Sequence, residues 1–148
     1  MANPKYKLVT RSDMDGLISA ILLKKLDMID EIQFAHPKDV QDGKVALDER
    51  CITTNLPYNE VVHLAFDHHS SETQRVKTSK NNYVIMAHAP SAARVVYEHF
   101  GGKNAFPNVP DEMMVAVDKA DAAQFTYEDV IDPKGWELLS FLMDARTG

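Results

Sequence analysis

The chain has 148 residues, 45% hydrophobic and 26% charged, enough for one domain with a real core but not for two of ordinary size. Sixteen Lys and Arg against 22 Asp and Glu leave a net charge of −6, which excludes a generic coat for nucleic acid while leaving room for a small phosphorylated substrate. The single Cys51 excludes an internal disulfide framework and a thiolate zinc cluster, and no apolar run approaches the ~20 residues that span a bilayer.

The first expected element is a strand over 7–10. From Gly16 onward the pattern becomes helical, with apolar residues at 17, 18, 21, 22 and 26 on one face. This apolar stretch follows Asp13 and Asp15, unlike the core of a signal peptide, and a reducing, cytoplasmic setting is expected. A second strand, 32–35, is stopped by His36-Pro37, because proline cannot donate to a ladder. Asp42-Gly43 is a turn signal, and further strands are expected over 51–54, 61–66 and 83–86. The helix expected over 91–100 has Pro90 ahead, Ser91 in its early turn and Gly101-Gly102 as its stop. Another, over 111–120, follows Pro110 with acids in its first turn, where the dipole favours them. Residues 136–143 form a last apolar helix or strand. The chain stops soon after, as a cut chain would. Alternating strands and helices predict a single α/β domain over 1–148, with a mostly parallel sheet flanked by helices on both faces.

Three clusters carry chemistry. Asp13-Met14-Asp15-Gly16 lies between the first strand and the first helix, at the carboxyl edge where open α/β sheets place ligands. Read as extended chain, it turns both carboxylates to one side. Paired carboxylates call for a cation or a shared proton, and hard oxygen ligands suit Mg²⁺ or Mn²⁺. The bland alternative is that Asp15 simply caps the helix. Asp67-His68-His69 ends an apolar run and gathers oxygen and nitrogen ligands, with Asp67 able to fix a histidine tautomer. Its bland alternative is a polar strand end facing solvent. Asp118 and Asp121 share a helix face late in their helix, either compensated by a cation or merely solvated.

In this order and spacing, Asp13-Met14-Asp15-Gly16 and Asp67-His68-His69 resemble the DHH phosphoesterase superfamily, whose branches include exopolyphosphatases, oligoribonucleases and single-strand exonucleases. Asp121-Ala122-Ala123-Gln124-Phe125 resembles its fourth motif, usually Asp-Thr-Gly-x-Phe, and the helix from Ser91 resembles the one after its third. The resemblance runs from about Lys5 to Phe125. It implies a centre of one or two Mn²⁺ or Mg²⁺ ions, with metal ligands Asp13, Asp15, Asn55, His68 and Asp121. It also implies that His69 faces the phosphate, that Asp67 orients a histidine, and that the reaction is hydrolysis of phosphoester or phosphoanhydride bonds. The implied substrate is polyphosphate, a nucleotide or a short oligonucleotide. The family's carboxyl-terminal substrate domain is absent after Phe125, and a homo-oligomer is allowed.

Two positions depart from that pattern. Asn55 stands where members carry a bridging Asp, and an amide offers one neutral carbonyl oxygen instead of two anionic ones. Arg11 stands where members carry a His; a guanidinium cannot ligate a cation but can hold a phosphate. These two residues support a rival reading, a phosphate- or nucleotide-binding regulatory module that has lost turnover. Asp118 and Asp48 are the candidates to replace the missing carboxylate. His36, His63, His88 and His99 read as surface or core residues, Arg94 as part of a solvated face, the methionines as core filler, and Lys24, Lys25, Lys77 and Lys80 as solvated charge.

Overall fold

The computed structural model of the protein describes residues 4–76, 80–144 and 146. Lys77 and the last two residues lie outside them. Five strands form one sheet: β1 (Tyr6–Thr10), β2 (Ile29–Phe34), β3 (Cys51–Thr54), β4 (Leu64–Asp67) and β5 (Tyr83–Ile85). Their spatial order is β2-β1-β3-β4-β5 and every neighbouring pair is parallel. The expected α/β class is correct.

Period-two alternation sends successive side chains to opposite faces and explains the two cores. Leu8, Ile52 and Phe66 enter the larger one, beneath α1 (Met14–Lys25), α4 (Ala92–His99) and α5 (Asp111–Asp121). Val9, Cys51 and Ala65 enter the smaller one, covered by Val40 of α2 (Pro37–Gln41) and by Leu56 and Val62 from loops. The helical cover is therefore heavy on one face and light on the other. Helix α3 (Ser70–Arg75) buries none of its residues. The last helices are α6 (Tyr127–Ile131) and α7 (Gly135–Met143), so residues 136–143 are helical. No helix among the described residues is long and apolar enough to cross a membrane.

Several boundaries differ from expectation for local reasons. Helix α1 starts at Met14, because Asp13 rather than Asp15 caps it, accepting a hydrogen bond from Gly16 N at 2.9 Å. β2 begins three residues early, at Ile29, which pairs with Tyr6. β4 begins only at Leu64, since Val61 and Val62 lie in a turn closed by Asn59. The short helices α2, α3 and α6 were not foreseen; α6 rests on a capping box between Thr126 and Asp129 rather than on apolar periodicity.

The sheet order has a functional consequence. From β1 the chain moves outward to β2, then returns past β1 to β3 and continues outward to β5. The direction reverses between β1 and β3, and the crevice beyond their carboxyl ends is where open parallel sheets bind ligands. Arg11 follows β1, and Asn55 follows β3.

Candidate functional site

The segment after β1 is a helix start rather than extended chain, with Asp13 as the cap and Asp15 in the first turn, and the charges of Asp13 and Asp121 both act on Asp15. Asp13 Oδ1 is committed to the cap, and its Oδ2 lies 3.3 Å from Arg11 Nε. Burial raises the Asp13 carboxyl above the usual range. Asp15 falls in the first turn of α1 and is 2% exposed. Its Oδ2 accepts from Ala92 N at 3.1 Å and its Oδ1 from Ala93 N at 2.7 Å, both in the first turn of α4. Ser91 starts that turn by accepting from Arg94 N at 3.0 Å. Burial, then the neighbouring charge of Asp121, push Asp15 up to about 7.

Alternation at the end of β4 divides Asp67-His68-His69 between the two faces. His68 turns toward the large helices. Its Nδ1 lies 3.0 Å from Ala89 O, and its Nε2 lies 2.7 Å from Asp121 Oδ2 at the end of α5. That second contact is short but not aligned as a hydrogen bond, which leaves a buried Nε2 without a proper partner. Burial pulls the imidazolium down, but contact with Asp121 and the charges of Asp121 and Asp15 outweigh it and push His68 up to about 9. Asp67, 1% exposed, turns the other way. Its Oδ1 accepts from the backbone N–H groups of His68 and His69 at 2.7 and 3.3 Å and meets His69 Nδ1 at 2.7 Å. Tyr83 donates its hydroxyl to Asp67 Oδ2 at 3.3 Å. The bond to Asp67 raises His69 above the ordinary imidazole value.

Two groups of side chains bring potential ligand atoms within 4.8 Å of one another: Asp15, His68 and Asp121, and Asp67, His68 and His69. They are not equivalent. In the second, Asp67 Oδ1 already meets three nitrogens of His68 and His69 and Oδ2 the Tyr83 hydroxyl, whereas each Asp15 oxygen meets a single backbone N–H. In the first, two carboxylates confront each other across an imidazole nitrogen that lacks an aligned partner. A hard divalent cation fits that donor set, because it would relieve the repulsion that raises Asp15 and would complete His68.

The remaining sequence candidates occupy varied places. Asp118 is neither solvated nor free: Ser91 Oγ donates to its Oδ1 at 2.8 Å, and Arg94 donates to its Oδ2 through Nε at 3.0 Å and Nη2 at 2.6 Å. Arg94 is therefore a structural clasp between α4 and α5. Asp48 precedes β3, at the opposite edge of the sheet, and binds Arg50 N and Cys51 Sγ. Neither acid reaches the position of the missing carboxylate. Asn55 directly follows β3 with φ 56° and is 2% exposed. Its backbone donates to Phe66 O at 3.0 Å, while its side-chain Oδ1 and Nδ2 have no hydrogen-bond partner among the described residues. His36 caps α2 through Nδ1, His63 stacks on Tyr6, and His99 meets Phe66 edge-on, so these three are structural. His88 is exposed.

Three contributors went unrecognised in the sequence: the N–H groups of Ala92 and Ala93, the Ala89 carbonyl and the Tyr83 hydroxyl. Pro90-Ser91 marks the helix start, but nothing local says which acid its free N–H groups receive.

No protein-family model and no curated protein matches the chain. Among solved structures it is similar to the pGpG-specific phosphodiesterase PggH from Vibrio cholerae, at 58% identity with a TM-score of 0.88. The fold is of phosphodiesterase type. The likeness covers 96% of this chain and 45% of that one, so the chain spans less than half the length of PggH.

Proposed function

We propose that this chain is the metal-holding domain of a phosphodiester hydrolase of the DHH superfamily, acting on a short nucleotide such as a linear guanine dinucleotide. The observation that carries the reading is the pairing of Asp15 and Asp121 around His68 Nε2, at the carboxyl edge of a parallel sheet. Similarity to PggH, which acts on pGpG, supports the substrate class. The rest of the length of PggH supports a second domain that would fold over the substrate.

In this reading Asp15, His68 and Asp121 hold a divalent ion, Mn²⁺ or Mg²⁺, which when bound polarises a phosphoryl oxygen and acidifies water. Ala92 and Ala93 fix the Asp15 carboxylate from behind. The Ala89 carbonyl accepts Nδ1–H of His68, so the lone pair sits on Nε2, on the side of Asp121. Asp67 accepts Nδ1–H of His69 and favours its imidazolium, whose Nε2–H would be the proton given to a departing oxygen. Arg11, beside Asp13, supplies positive charge for the phosphate.

Hydrolysis of pGpG and of bis-p-nitrophenyl phosphate, measured with and without EDTA and with Mn²⁺ or Mg²⁺ restored, tests this reading. Metal-dependent cleavage that falls at least 100-fold in Asp121→Asn is expected. Cleavage indifferent to EDTA, or intact in that variant, refutes it. Asn55 and Arg11 favour a second reading, binding without turnover, which the same assay supports if pGpG binds but is never cut.

A further inference from the structure

A second feature of the crevice lies outside the Asp15–His68–Asp121 group. A cavity of about 210 Å³ opens at the β1–β3 reversal, with Arg11, Asn55, Asp67, His69, Ser71 and Glu72 among its walls. Its charge balance is not what a count of side chains suggests. Glu72 is neutralised by Arg75, whose Nε and Nη2 reach its oxygens at 2.8 and 2.6 Å, and it also accepts from Tyr58 N at 3.2 Å. Asp67 is saturated by His68, His69 and Tyr83. Arg11 makes no hydrogen bond among the described residues and meets Asp13 as an ion pair, its Nε 3.3 Å from Oδ2. The unspent capacity in the wall is thus a cation and the Asn55 amide.

That amide is the telling group. Buried donors and acceptors are almost always paired, and leaving one unpaired is costly. Both polar atoms of the Asn55 side chain are buried without a partner. The backbone there is left-handed, a conformation Asn adopts more readily than most residues. A carboxylate at this position would repel an anion; an amide can donate Nδ2–H to one. The cavity is smaller than the roughly 300–1,000 Å³ of ordinary small-molecule pockets, which suits a phosphate group rather than a whole nucleotide.

Taking the phosphodiesterase reading as given, we infer that the Arg11–Asn55 cavity is a metal-independent anion subsite, which receives a phosphoryl group of the substrate through the guanidinium and the Asn55 amide. The Asp15–His68–Asp121 group is rich in carboxylates, whereas the donors that the cavity offers a ligand are the guanidinium and the amide. Asn55 is a substrate-positioning residue rather than a metal ligand.

Amide NMR of the ¹⁵N-labelled chain, titrated with inorganic phosphate in EDTA, tests the inference without using activity. Phosphate is expected to shift the signals of Arg11, Asn55, Leu56 and His69 in the absence of metal. Arg11→Gln and Asn55→Asp should each weaken binding at least tenfold. Asn55→Gly keeps the left-handed backbone but removes the amide, and a three- to tenfold loss is expected. Shifts that appear only after Mg²⁺ is added would overturn the inference, as would unchanged affinity in Arg11→Gln and Asn55→Asp. Because the wild-type titration needs no substitution, a poorly folding variant cannot obscure the result. Phosphate binding in EDTA without metal-dependent hydrolysis would defeat the phosphodiesterase reading and spare the subsite. Hydrolysis without such binding would do the reverse.

Discussion

Gly16 is the residue on which the geometry of the crevice rests most heavily, and replacing it with alanine is the sharpest stability test. It lies in the first turn of α1, and a Cβ built there would stand 1.9 Å from Arg11 O and 3.0 Å from both Arg11 C and Thr10 Oγ1. Contacts below 3.0 Å do not occur, so backbone must separate by about 1 Å or more. The obstacle is a main-chain carbonyl rather than the end of a flexible side chain, so the strain cannot be shed by a rotamer change. Overpacking generally costs 1–3 kcal/mol; for a rigid backbone obstacle about 3 kcal/mol or more is expected, a large share of the ~5–15 kcal/mol that stabilises a domain. The same shift pries the Arg11–Asp15 turn from β4, so affinity for Mn²⁺ and for phosphate should fall together. Urea unfolding followed by the single Trp136, which packs at the edge of the larger core, measures the first effect, and calorimetric titration the second. Gly43→Ala is the control: its Cβ meets nothing within 4 Å, but φ is +70°, so only about 1–2 kcal/mol of dihedral strain is expected. Gly16→Ala within about 0.5 kcal/mol of the parent would refute the steric reasoning.

Arg94→Met should destabilise by about 1–3 kcal/mol, because Asp118 would lose both guanidinium bonds while staying largely covered; Arg94→Lys should recover little of this, as an ammonium cannot reproduce the fork. A double-mutant cycle with Asp118→Asn checks the pairing, and a coupling energy near zero would contradict it. Cys51 is buried, and burial pushes its thiol above the ordinary value, so less thiolate is present at pH 8 than in a free cysteine. Alkylation by iodoacetamide at pH 8 should therefore track unfolding in urea; rapid labelling of the native protein would count against this. Ala123 holds φ 53°, a left-handed conformation that alanine resists, and Ala123→Gly should stabilise by up to about 1 kcal/mol in thermal melts. A clear drop in melting temperature would show that the turn after α5 is not strained.

Much of the fold could be read directly because its signals are local. The strands of β1, β3 and β5 and the helix starting at Ser91 follow from alternation, proline and capping residues. Helix α1 was foreseen but entered two residues late, and this had a chemical consequence: 13–15 were read as extended chain, whereas the true helix start commits Asp13 to its cap and buries Asp15. What was not legible is long-range. Asp15 and Ala93 are 78 residues apart, and Arg94 and Asp118 are 24 apart. Nothing in the local pattern of either says that the first pair fixes a carboxylate or that the second withdraws one from the site.

The same consideration explains how three consecutive residues can serve two distinct chemistries. β4 ends at Asp67, and the two histidines that follow it keep ligand atoms within 4.8 Å of Asp67 and of each other while making different contacts. His68 alone faces the helical side, where α1 and α5 deliver Asp15 and Asp121, and it therefore sits among anions. Asp67 and His69 face the thinly covered side, where the chain reversal between β1 and β3 delivers Arg11 and Asn55. A carboxylate in place of Asn55 would enter the wall of the cavity that Asp67, His69 and Glu72 already line. It would place a third acid beside Asp67 and Glu72 and offset the positive charge that Arg11, paired with Asp13 at 3.3 Å, brings to the cavity.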